Sequence, residues 1–114
     1  MITLYHNPRC SKSRAALALL QENGIEPDIV LYLDNPPSER ELKSVLKKLG
    51  LGARDLLRRG EEEYRELGLA DTGLSDATLV SAMSAHPRLI ERPIAIRGDH
   101  AVIGRPPENV LELL

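Results

Sequence analysis

The spacing of apolar residues changes several times along this chain, and each change marks an element. Ile2-Thr3-Leu4-Tyr5 is a short apolar run with β-branched residues, which predicts a strand. Ala15 to Leu20 is a dense stretch of strong helix formers, closed by Asn23-Gly24, where glycine suits the left-handed end of a helix. Asp28-Ile29-Val30-Leu31-Tyr32-Leu33 is nearly continuous in apolar residues, as in a strand covered on both faces, and Pro36-Pro37 ends it. Ser38-x-x-Glu41 has the form of a capping box and opens a helix with Leu42, Val45, Leu46 and Leu49 on one stripe, closed by Gly50. From Leu51 to about His86 the pattern stays helical in short pieces. These are a turn over Arg54 to Arg59, a charged segment from Glu61 to Leu67, and a helix capped by Ser75-Asp76 that carries Leu79, Val80 and Met83. Pro87 stops it. Pro93-Ile94-Ala95-Ile96-Arg97 and His100-Ala101-Val102-Ile103 then flank Gly98-Asp99, the pattern of a hairpin. Pro106-Pro107 opens a final helix through Val110, Leu111 and Leu114.

Taken in order, these elements read β-α-β, a helical block, then β-β-α. That order predicts an α/β fold with a four-stranded mixed sheet and resembles the thioredoxin/glutaredoxin-like arrangement. One domain is expected over residues 1–114, with a helical insertion at about 38–87. At 42% hydrophobic and 28% charged, 114 residues can bury a core without disulfides or metals. A net charge of -2 argues against a nucleic-acid-binding surface, and three Tyr with no Phe or Trp leave few stacking platforms for single strands. There is no apolar run of about 18 residues, so no membrane partner is expected. A single cysteine and the absence of an export signal point to the cytoplasm, and a monomer is the expected state.

The chemistry is concentrated around that cysteine. Cys10 lies between the first strand and the first helix, where unpaired backbone N–H groups and the positive end of the helix dipole favour a thiolate and a neighbouring anion. His6, at the strand end, can supply either positive charge or a hydrogen bond. Arg9, Lys12 and Arg14 add cationic charge. Arg58 or Arg59, Arg92 before Pro93, and Arg105 before Pro106 are further arginines that a fold could bring close, and guanidinium groups suit tetrahedral oxyanions. His86 and His100 have no partners at ligand spacing, so no metal is expected, and the Glu61-Glu62-Glu63 run reads as a solvated face. No nucleotide or flavin motif is present.

Five motifs then occur in a fixed order: Tyr5-His6-Asn7-Pro8-x-Cys10-x-x-Ser13-Arg14, Leu56-Leu57-Arg58, Glu66-Leu67-Gly68-Leu69-Ala70, Glu91-Arg92-Pro93-Ile94 and Gly104-Arg105-Pro106. Together they closely resemble the glutaredoxin-dependent arsenate reductases over nearly the whole chain. The resemblance implies that Cys10 is the nucleophile toward arsenate and that His6 favours its thiolate form. It implies that Arg58, Arg92 and Arg105 bind the anion. It further implies that glutathione, a cosubstrate and not a tightly bound cofactor, attacks the thiol–arsenate adduct, and that glutaredoxin completes the reduction to arsenite. A proline before the third strand packs near the cysteine in such folds, which places Pro93 there with an expected cis bond.

The Arg9-Cys10-Ser11-Lys12 loop is more basic than in the better-studied members and resembles a subgroup of its own. Two other readings stay open on sequence. One is a glutathione-linked reductase or thiol transferase for another substrate. The other is a redox-regulator-like module that binds RNA polymerase, against which stands Ser13 in place of the second cysteine of a Cys-x-x-Cys switch.

Overall fold

The computed structural model describes residues 1–114 and builds one sheet from β1 (Thr3–Tyr5), β2 (Asp28–Val30), β3 (Ile94–Arg97) and β4 (His100–Ile103). The strand order is β2-β1-β3-β4, with β1 parallel to β2 and antiparallel to β3, and β3 antiparallel to β4. The mixed four-stranded sheet expected of a thioredoxin-like fold is therefore present. Two compact units emerge: residues 1–35 with 92–114, which contain the sheet, and residues 36–91, which lie between β2 and β3 in the chain.

In the sheet unit, α1 (Ser11–Glu22) turns Ser13, Ala16 and Leu20 inward. Ala16 and Leu20 join Ile2, Leu4, Ala95, Val110 and Leu113 in a core between the helix, the sheet and the C-terminal segment. Fully burying a Leu, Ile or Val side chain there is worth about 1.5–3 kcal/mol. Tyr5 and Tyr32 are both buried and stack with ring centroids 6.4 Å apart. The β3–β4 connection is the two-residue Gly98-Asp99 turn, with Gly98 at φ 59°, a conformation glycine adopts without steric cost. The bonds Arg92-Pro93 and Arg105-Pro106 are both cis.

The other unit opens on the capping box of α2 (Glu39–Leu49). The Ser38 hydroxyl accepts from the Glu41 N–H at 3.1 Å, and the Glu41 carboxylate accepts from the Ser38 N–H at 3.1 Å. Leu42, Val45 and Leu46 of α2 are buried, as are Leu79, Val80 and Met83 of α5 (Asp76–Ala85), and the two helices pack together. Short helices α3 (Ala53–Leu56) and α4 (Glu62–Glu66) connect them. No helix is long and apolar enough to cross a membrane.

Two elements differ from the pattern reading. The second strand covers only Asp28–Val30, not Asp28 to Leu33, because the Leu31 carbonyl turns to accept from Asp34 and Asn35 N–H at 3.0 and 2.9 Å. β2 is an edge strand, and Ile29, Leu31 and Leu33 are each more than a third exposed, so both-faces coverage does not hold. The C-terminal element is a 3₁₀ helix over Pro107–Leu113 and not an α-helix. Its three-residue repeat buries Val110 and Leu113, whereas the expected Leu111 and Leu114 stay partly or largely exposed.

Candidate active site

The loop from His6 to Cys10 is organised by its own side chains. The Asn7 carboxamide oxygen accepts from the Arg9 N–H at 3.0 Å, and the Asn7 carbonyl accepts from the Cys10 N–H at 3.0 Å, folding the chain into a tight turn. Ser13 is fully buried on the inward stripe of α1, and its hydroxyl accepts from the Asn7 N–H at 3.2 Å. The Arg14 guanidinium donates to the Pro8 carbonyl at 2.9 Å and braces the far side of the turn.

This scaffold sets Cys10 at the N-cap of α1 with an extended backbone (φ -95°, ψ 123°). Its carbonyl accepts the first helical bond, from Arg14 N–H, but its side chain makes no capping bond. The half-buried sulfur is therefore not committed to the helix end. No carboxylate stands in the first turn of α1, so nothing there compensates the partial positive charge of the helix terminus.

Residues more than eighty positions away in the chain complete the site. The Arg105 guanidinium comes to 4.0 Å from Cys10 Sγ through Nη2. Its Nε donates to the Arg92 carbonyl at 2.7 Å, which fixes the direction of the fork. Arg92 itself has a buried Nε with no hydrogen-bond partner, a donor not committed to any protein acceptor. Gly104 donates its N–H to the Pro93 carbonyl at 2.9 Å and lies so close that a Cβ there would sit 2.8 Å from Pro93 Cγ. Asn109 donates from its side-chain amide to the carbonyls of Ile103 and Arg105.

His6 is buried, its N–H donates to the Val30 carbonyl at 2.9 Å, and its Nδ1 has no partner. Burial, and secondarily the charge of Arg14, hold its pKa below the ordinary 6.5. Of the two routes open on sequence, positive charge is thus disfavoured near neutral pH, and a hydrogen bond from the neutral ring is what remains. The lowered value also links His6 to stability. The unfolded chain takes up the His6 proton first, so this contribution is complete above about pH 6.5 and is lost as pH falls through the folded value. Thermal melts at pH 7.5 and pH 5 should show a smaller acid-induced loss in His6→Gln than in the wild type. Equal losses in both would remove His6 as a source.

Arg58 belongs to the helical unit. Its N–H donates to the Leu89 carbonyl at 2.7 Å beside an antiparallel bridge between Leu57 and Ile90. The guanidinium lies 3.5 Å from Glu61 and 3.7 Å from Glu91, and Arg88 reaches Glu61 at 3.9 Å. Arg59, the alternative left open by spacing, is exposed.

The ArsC family model matches residues 5–113. The chain belongs to the ArsC family. It is 54% identical over 114 residues to the arsenate reductase of Haemophilus influenzae, covering 99% of this chain and 98% of that protein. It is 53% identical over 114 residues to the uncharacterized protein YfgD of Escherichia coli, covering 99% and 96%. Among solved structures, the arsenate reductase from Vibrio cholerae superposes with a TM-score of 0.96 at 52% identity, over 99% of this chain and 97% of that one.

Sequence reasoning singled out Cys10, His6, Arg92 and Arg105 in the ArsC sheet unit, and the structure brings Arg105 to Cys10 and ties it to Arg92. It missed Asn109 and the close approach of Gly104. An Asn two residues after Pro107 at a helix start was a signal for the first, as a side chain able to bond nearby backbone. Nothing local signals the second.

Proposed function

We propose that this ArsC-family protein reduces arsenate to arsenite with Cys10 as the nucleophile and glutathione and glutaredoxin as the source of electrons. The observation that carries the reading is the Arg105 guanidinium held 4.0 Å from Cys10 Sγ, at a helix N-terminus without acidic residues. Cationic groups there offset the repulsion between a thiolate and an anionic substrate, and they stay in place as charge develops.

Cys10 in its thiolate form attacks arsenic, and one arsenate oxygen leaves as water. Arsenic stays pentavalent in this adduct. Two external thiols then supply two electrons and two protons and depart as a disulfide, a second arsenate oxygen leaves as water, and arsenic becomes trivalent. Hydrolysis of the S–As bond returns Cys10 to the thiol and releases arsenite. The chain has one cysteine, so both reducing thiols must come from outside it. Arg92 and Arg105 hold the oxyanion. Arg58 is the third contact on the strength of the Leu56-Leu57-Arg58 motif, and its ion pairs with Glu61 and Glu91 fix the side chain in its own unit. His6 acts as a neutral hydrogen-bonding group, a role that likewise rests on the family motif.

The test is an assay coupling NADPH oxidation to arsenate through glutathione reductase, glutathione and glutaredoxin. Arsenate-dependent oxidation is expected, and Arg105→Ala should lower kcat/KM by about 10²–10³. A flat response to arsenate with a clear response to another oxyanion would transfer the same chemistry to that substrate and end the arsenate reading.

A further inference from the structure

We propose that Asn109 is the positioning residue for Arg105 and so sets how tightly the site holds its oxyanion. This inference rests on the reading of Cys10 and Arg105 as an anion site. The bond from Arg105 Nε to the Arg92 carbonyl fixes the guanidinium only if the Arg105 main chain is also fixed. That main chain leaves β4 in a tight turn, with Arg105 N–H donating to the Ile103 carbonyl at 2.9 Å, and no regular strand or helix spans it. Asn109 brackets the turn from both sides. Its side-chain amide has two protons, and it donates to the Ile103 carbonyl at 3.3 Å and the Arg105 carbonyl at 3.1 Å. Asn109 is itself seated by its N–H, which donates to the Pro106 carbonyl at 3.0 Å. Removing the amide takes a donor from each of two partly buried carbonyls and loosens the turn that aims the guanidinium at Cys10 Sγ.

A residue that merely stabilises the C-terminal 3₁₀ helix would lower the melting temperature and leave anion affinity untouched. The two roles separate in a double-mutant cycle. Sulfate, a non-reacting oxyanion, is titrated for its protection of Cys10 from iodoacetamide alkylation in the wild type, Asn109→Ala, Arg105→Ala and the double variant. Arsenate KM and kcat are measured on the same four proteins.

Asn109→Ala should weaken sulfate protection about three- to tenfold and raise arsenate KM by a similar factor with a smaller effect on kcat. The double variant should protect no worse than Arg105→Ala alone, because the amide then has no guanidinium to aim. Additive losses, or wild-type protection in Asn109→Ala, would overturn the assignment. If Arg105→Ala itself leaves protection unchanged, the anion-site reading beneath it falls as well. Should Asn109→Ala fail to fold, the isosteric Asn109→Asp takes its place. Its carboxylate faces the same two carbonyls without donating, and the same losses are expected.

Discussion

Cys10→Ser is expected to bring glutaredoxin-coupled arsenate reduction down to background, a loss of at least about a thousandfold. The chain holds no second thiol that could substitute. A serine hydroxyl does not ionise near neutral pH and is a poor nucleophile without an adjacent base. The same change should leave the fold intact. Cys10 occupies the N-cap of α1 without using its side chain, and serine is among the preferred residues at that position. The variant should therefore melt at or slightly above the wild-type temperature while being inactive. Calorimetry beside the coupled assay checks both halves, and turnover at a wild-type rate in this variant would remove Cys10 from the mechanism.

Gly104→Ala should be costly although it adds one methyl group. The new Cβ would stand 2.8 Å from Pro93 Cγ, 3.2 Å from Val110 Cγ1 and 3.4 Å from Pro93 Cδ. The proline ring is buried and stiff, and Val110 is fully buried in the core, so neither yields easily. Overpacking of this kind costs about 1–3 kcal/mol. It also acts on the site. Gly104 and Pro93 are joined by a backbone hydrogen bond and are the chain neighbours of Arg105 and Arg92. Pushing them apart lengthens the 2.7 Å bond between the Arg105 side chain and the Arg92 carbonyl, so arsenate KM should rise with the loss of stability. Urea denaturation gives the stability change, and Gly60→Ala is the control, because a Cβ there meets nothing within 4 Å. Equal midpoints for the two variants would show that the close approach does not matter.

Much of this protein can be read along the chain because its signals are local. The capping box at Ser38, the turn at Gly98-Asp99 and the junction that exposes Cys10 each depend on residues a few positions apart, and all three appear as expected. Arg92 and Arg105 stand out along the chain by their place beside prolines in motifs, although the contact that joins Arg105 to Cys10 spans 95 residues and has no local mark. β2 is shorter than its apolar run predicts, because an apolar run does not by itself imply cover on both faces. Ile29 lies on the edge strand and Leu31 and Leu33 in the turn after it, where apolar side chains are tolerated in the open. Over so few C-terminal residues a period of 3.6 through Val110, Leu111 and Leu114 and a period of three through Val110 and Leu113 both fit the sequence, and the fold adopts the second. The roles of Gly104 and Asn109 depend on which backbone atoms the fold places against them, and that emerges only in three dimensions.

Ser13 has a consequence for how the protein relates to its surroundings. A thiol at that position would be a weak acceptor for the Asn7 N–H, so a Ser13→Cys change would loosen the turn that carries Cys10 at the moment it introduced a second thiol. With the buried hydroxyl in place, the chain carries a single thiol. Such a protein cannot store an oxidising equivalent as an intrachain disulfide. Any disulfide it forms joins Cys10 to a thiol from outside the chain, and the thiol that restores Cys10 comes from outside as well.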